Sequence, residues 1–288
     1  MAGREWPLVL FTLLSQLAVG AYLFLILPLF FSRPVKPEGG GRDLRLALVL
    51  IVLGLLAAAA LASFFHLGNP RKALKALNNL KRSWLSREIL FELATVFLLA
   101  ALALLLILKV RGAALVQATG LAAGSSGLLF LISMARLYML PTVRPWNNFF
   151  TPASFLSTAF LLGAVTAAAA AAFFPEIPFL SERLLISLSI GLAAISLVLT
   201  VLTAPPLGLW GTLPTAGLKP PSDPSLVSFA GRIVFLLAGA VLLAVQAKKV
   251  SGPLPPSGRV SVLAAFCLFF AAETMGRFIF YGFYLGKR

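Results

Sequence analysis

The chain is 288 residues long, 60% hydrophobic and only 11% charged, with a formal net charge of +15. Apolar runs of roughly 18 residues or more recur from end to end, each long enough to cross a ~30 Å hydrocarbon core as a helix. That balance excludes a water-soluble domain and defines an all-α polytopic integral membrane protein. Long alternating runs are missing, which excludes a membrane β-barrel, and the basic residues gather in short loops and at span ends, where they anchor helices against headgroups or an acidic partner and form no nucleic-acid surface.

Eight spans follow in sequence order within a single membrane-anchor domain covering residues 1–288. The first, Leu8–Phe31, comes after a very short start, MAGREW, without a small-residue cleavage site in a polar flank. It reads as a retained span and not as a signal peptide. SRPVKPEGGGR leads to Leu44–Phe65; a basic segment then leads to Ile89–Leu108. A tight connection, Lys109–Gly112, precedes Ala114–Leu137, and Pro152–Phe173 ends in an alanine tract, Ala167–Ala172, suited to close helix approach. PEIP marks the turn to Leu184–Thr203; a long proline-rich loop leads to Leu226–Val245, and VSGPLPPSGR to Arg259–Gly282. No loop could hold a soluble domain, and no internal repeat is legible. Lys and Arg are nearly balanced between the two sides, so the positive-inside rule does not orient the protein.

The only histidine, His66, closes the second span, with Gly68 and Pro70 behind it to stop the helix. The segment Arg71–Arg82, with Leu74, Leu77 and Leu80 on one side, is expected to lie along the interface as a short amphipathic helix. Ser86 is the expected cap of the third span, with Glu88 in its first turn. His66 and Glu88 then share one membrane surface, with Asn78 and Asn79 in the loop between them and Glu92 one turn deeper. Imidazole exchanges protons near neutral pH, and a carboxyl group at the rim can join it in taking a hydrogen bond and then a proton from a lipid-borne hydroxyl. Taken singly, the two read more plainly as an interfacial histidine and a helix-start acid.

On the same side lies MARLYMLPTVRPWNNFFTP, in which Arg136 and Tyr138 are candidates to line a polar pocket and Trp146 reads as part of an aromatic interface belt. In the last span, Glu273 and Arg277 stand four residues apart and are expected to form an intramembrane ion pair, with Arg232 of the seventh span as a further partner. A structural helix–helix tie is the simpler reading of that pair, ahead of a proton path. Cys267, the single cysteine, rules out an internal disulfide and a cysteine-ligated cluster. One histidine cannot supply bis-histidine haem ligation, and the spacings of a metal site are missing. Any electrons handled here must leave through another subunit.

These blocks resemble the membrane anchor subunit of dimethyl sulfoxide reductase-type molybdoenzymes. The resemblance opens in REWPLVLFTLLSQLAVGAYL, is strongest in HLGNPRKALKALNNLKRSWLSREI (His66–Ile89), continues in Met134–Phe155 and Gly231–Ala238, and closes in ETMGRFIFYG. It implies a multi-pass subunit of the cytoplasmic (inner) membrane that carries no catalytic centre of its own and contains no haem or iron–sulfur cluster. Such a subunit holds an iron–sulfur electron-transfer subunit and a molybdopterin catalytic subunit, and oxidises menaquinol in anaerobic respiration. By position in the motif, His66 matches the quinol-site histidine and Glu88 the acid beside it, with Arg71 and Arg136 as further pocket candidates. The loop after His66 is more basic than the resemblance leads one to expect, and Ala204–Pro224 has no clear counterpart; both bear on the docking partner and terminal substrate. Two alternatives stand beside this reading. A secondary transporter would show a paired inverted repeat with broken helices and more mid-membrane polar residues. A purely structural anchor would be indifferent to changes at His66 and Glu88.

Overall fold

The computed structural model describes residues 6–32, 44–65, 77–110, 112–143, 146–174, 182–203, 223–249 and 254–285. His66 and Arg71 lie outside the described residues, as do most of the expected interfacial helix and Arg144. The described residues form eight apolar helices long enough to cross a membrane: α1 Trp6–Leu29, α2 Leu44–Phe64, α3 Trp84–Ile107, α4 Ala113–Tyr138, α5 Phe150–Phe173, α6 Glu182–Leu202, α7 Asp223–Lys249 and α8 Pro256–Leu285. Within α1, Tyr22–Ile26 is a π-helical turn in which the Leu27 N–H reaches back to the Tyr22 carbonyl. It lies just before Pro28, which supplies no N–H to the ladder.

Hydropathy explains that these segments are helices; burial decides how they assemble. In α1 and α5, 78% and 72% of the apolar window is buried, against 22% in α3 and α7. The two central helices therefore form the core, and the outer ones turn large apolar side chains such as Ile51, Phe97, Val198 and Val241 outward, as lipid-facing helices do. Contacts close α1–α4 into one ring and α5–α8 into another, and the rings meet chiefly along α1 and α5.

That meeting depends on two glycines. A Cβ on Gly20 would occupy the place of the Ala159 carbonyl, and one on Gly163 the place of the Gly20 backbone. Backbones approach this closely only where both side chains are absent. Gly163→Leu is expected to force α5 off α1 and cost about 3 kcal/mol or more, read as a lower melting temperature of the detergent-extracted protein. Gly191→Leu on α6, where an added Cβ meets nothing, is the control.

The fold repeats although the sequence does not visibly do so. Gly20 and Gly163 face each other 143 positions apart, and so do Tyr138 and Tyr281, whose ring centroids are 5.4 Å apart. Tyr281 reaches Thr12, while Tyr138 packs on Phe155, the position 143 residues beyond Thr12. Residues 12 to 20 and 155 to 163 thus run the same way, and the two four-helix halves are related by an approximate two-fold axis along the helices. The repeat is parallel, unlike the inverted repeat expected of the transporter alternative.

Candidate functional site

Helix α3 begins at Trp84, earlier than hydropathy suggests. Its cap is Ser83 and not Ser86: the Ser83 hydroxyl accepts from the Ser86 N–H at 3.2 Å. Ser86 itself is buried in the first turn. Upstream, residues 77–79 form a single 3₁₀ turn. Arg87 holds that turn against the helix by donating to the Leu80 and Lys81 carbonyls, each at 2.9 Å.

The early start moves Glu88 from the first turn to the second, where the end of the helix dipole no longer accounts for it. Glu88, Thr95, Leu99 and Leu102 make one buried stripe facing the first ring. Glu88 is only 3% exposed, and its Oε1, like that of Glu92 one turn deeper, is buried without a hydrogen-bond partner. Thr95, further along the stripe, is satisfied by the Phe91 carbonyl at 2.6 Å and Ser126 at 3.1 Å. The stripe is thus apolar and hydrogen-bonded at depth, and carries two acceptors with open valence toward the rim.

At the end of the bundle where α3 begins, an aromatic group gathers residues from both halves. Tyr138 touches Trp146, Phe155, Phe280 and Tyr281. Trp146, expected in an interface belt, is instead buried: its indole N–H donates to the Phe280 carbonyl at 2.9 Å and its ring stacks on Phe280. Arg136 is exposed; its guanidinium lies 5.4 Å from the centre of the Trp84 ring, which Arg87 also covers at 4.3 Å. The structure therefore sets Glu88, Glu92 and Tyr138 at one end of the bundle, with Arg136 at the same end on the outer surface.

The charges of the last span make a separate cluster. Arg277 does not meet Glu273 as an i, i+4 pair; the direct partner of Glu273 is Arg232, whose Nη2 lies 3.1 Å from Oε2. Thr158 donates to Glu273 at 2.7 Å and accepts from Arg277 at 3.0 Å, so the second cation reaches the carboxylate through a hydroxyl. Ser196 donates to the other carboxylate oxygen, and Arg277 also donates to Gln16 at 3.1 Å while its guanidinium lies over Phe155 at 3.8 Å. Local spacing suggests one pair, but tertiary packing makes a five-helix tie joining α1, α5, α6, α7 and α8. Sequence reasoning missed Thr158, Ser196 and Gln16, each an ordinary polar residue in an apolar run.

Eight apolar helices, lipid-facing outer surfaces and a locked polar core define a multi-pass helical membrane protein. A family-wide sequence profile described as DMSO reductase anchor subunit (DmsC) matches residues 1–283, and the protein belongs to that family. It is 31% identical over 289 residues to the C subunit of the anaerobic dimethyl sulfoxide reductase of Escherichia coli (strain K12), a match that covers 98% of this sequence and 96% of that protein. The corresponding C subunit of Haemophilus influenzae is 33% identical over 164 residues, covering 55% of this sequence and 56% of its own. The anaerobic dimethyl sulfoxide reductase subunit YnfH of Escherichia coli is 32% identical over 170 residues, covering 58% and 57%. No solved structure is significantly similar. The protein is thus the membrane anchor subunit of a dimethyl sulfoxide reductase-type complex, and works with that complex's other subunits.

Proposed function

We propose that this anchor oxidises menaquinol at the α3 rim and passes the electrons to an iron–sulfur subunit, which serves a molybdopterin catalytic subunit in anaerobic respiration at the cytoplasmic (inner) membrane. The observation that carries the reading is the buried acid pair of Glu88 and Glu92, each with an unpartnered oxygen, at the end of a helix where a bilayer-borne headgroup can arrive. Oxidation of a quinol to a quinone releases two electrons and two protons. Glu88 accepts one proton and His66 the other. Imidazole and carboxyl are the side chains suited to this work, because each can take the proton and release it to solvent. Electron transfer falls steeply with distance, so the iron–sulfur subunit docks on this face.

The test is turnover of the intact complex in membranes with His66→Ala. Quinol-dependent reduction is expected to stop while reduction driven by a soluble artificial donor continues. Unchanged quinol-dependent turnover would refute the assignment and leave a purely structural anchor.

A further inference from the structure

Arg136 is the one charged residue in α4, and it stands on the outward stripe of that helix. Leu121, Ser125, Leu129, Ile132 and Arg136 recur every three or four residues, so they share one face, and all are exposed. Leu140, just past the helix end, is exposed as well. A cation in the last turn of such a stripe lies at the headgroup level of a bilayer, with apolar side chains on both sides of it. Among the described residues no carboxylate pairs with it. Its hydrogen-bond partner is the Met139 sulfur, at 3.5 Å.

A second cation is drawn to the same place. Arg136 of α4 and Arg87 of α3 lie over one indole, that of Trp84, at 5.4 and 4.3 Å. Arg87 is fixed there by its bonds from Nε and Nη2 to the Leu80 and Lys81 carbonyls, which leave Nη1 open. Lys81 and Arg82, both exposed, continue the positive charge along the preceding turn. Like charges gathered at one ring repel, and an anion between them relieves that repulsion. Guanidinium forks match the oxygens of a phosphate, and tryptophan favours the headgroup level. Glu88, the acid next to Arg87, is buried in the stripe that faces the first ring. No carboxylate therefore stands here to hold the ammonium of a zwitterionic headgroup.

We propose that the α3–α4 rim is a binding site for an anionic phospholipid of the phosphatidylglycerol type, with its phosphate held by Arg136 and Arg87 beside Trp84 and an acyl chain along Leu129 and Ile132. The apolar stripe decides between a lipid and a docked protein. It runs down the side of the bundle and away from its aqueous end, so the anion that reaches Arg136 arrives with hydrocarbon attached. The site is on the outer surface and takes no part in the proton chemistry of the buried acids.

The experiment titrates phosphatidylglycerol into the delipidated, detergent-extracted complex and counts bound copies by native mass spectrometry. The wild type is expected to hold phosphatidylglycerol in preference to phosphatidylcholine at equal concentration. Arg136→Gln is expected to weaken the tightest site about fivefold, the contribution of one surface cation to an anionic lipid. Arg87→Gln, the second variant, is expected to weaken it at least as much. Lys248→Gln removes an exposed cation at the far end of α7 and is expected to leave the affinity unchanged. Equal phosphatidylglycerol affinity in the wild type and Arg136→Gln would overturn the site. Displacement of the lipid by inorganic phosphate would overturn it too, and would mark a site for the free anion. Loss of a partner subunit from Arg136→Gln with lipid affinity unchanged would make these cations a protein-docking surface and overturn the lipid assignment.

Discussion

Replacing Arg232 by alanine is expected to destabilise the protein by about 3–5 kcal/mol, because it leaves a buried carboxylate without its direct cation. Glu273 is 1% exposed, and its remaining neighbours are two hydroxyls and an indirect second guanidinium. Water cannot replace the lost charge at that depth in a bilayer. The loss is measured by heating the detergent-extracted protein and following its monodisperse fraction. Replacing both partners, as Arg232→Met with Glu273→Met, is expected to recover most of the stability, since apolar substitutes for a complete buried pair are often tolerated. An Arg232→Ala protein as stable as wild type would show that the cluster is held by Thr158, Ser196 and Arg277 without the ion pair.

Glu88→Gln is expected to lower quinol-dependent turnover about 100-fold, at the lower end of what a positioned proton acceptor contributes. The amide has nearly the shape of the acid and keeps the packing of α3, but it cannot take a proton. Glu92→Gln, one turn further from the rim, is expected to cost less, about tenfold on the same scale. Turnover with a soluble donor stays at the wild-type value in both variants, because that donor bypasses the membrane. A Glu88→Gln complex within twofold of wild type on quinol would remove Glu88 from the chemistry.

Much of the architecture is legible in the sequence because a bilayer imposes it. Eight spans follow from hydropathy alone, and their boundaries shift mainly where polar residues join a helix, as at Trp84, Asp223 and Pro256. That shift is what sequence reasoning missed at the site. With Ser86 as cap, Glu88 looks like a surface acid near a helix dipole; with Ser83 as cap, it is a buried acid in the second turn. The partner of Glu273 is misjudged from sequence for a related reason. Helical spacing names neighbours on one helix, whereas the strongest contact of a buried charge is set by whichever helix packs against it, here α7. The repeat is hidden because aliphatic residues are interchangeable against lipid. Identity between matched positions holds at Gly20 and Gly163, where backbones touch, and at Tyr138 and Tyr281, where two phenols meet. The proposed roles of His66 and Arg71 rest on the motif HLGNPR, outside the described residues.

The buried charges bear on the transporter alternative. The mid-helix charges Arg232, Glu273 and Arg277 are tied to one another and to side chains of five helices, and line no open passage among the described residues. The unpartnered acids lie elsewhere, near the end of α3.

The most direct measurement is a fluorescence titration of a quinol-site inhibitor into membranes holding the assembled wild-type and Glu88→Gln complexes. A quinol site at the α3 rim predicts saturable binding in the wild type and its loss in the variant, with the partner subunits still attached. Equal saturable binding in both would contradict it, and would move the quinol away from Glu88.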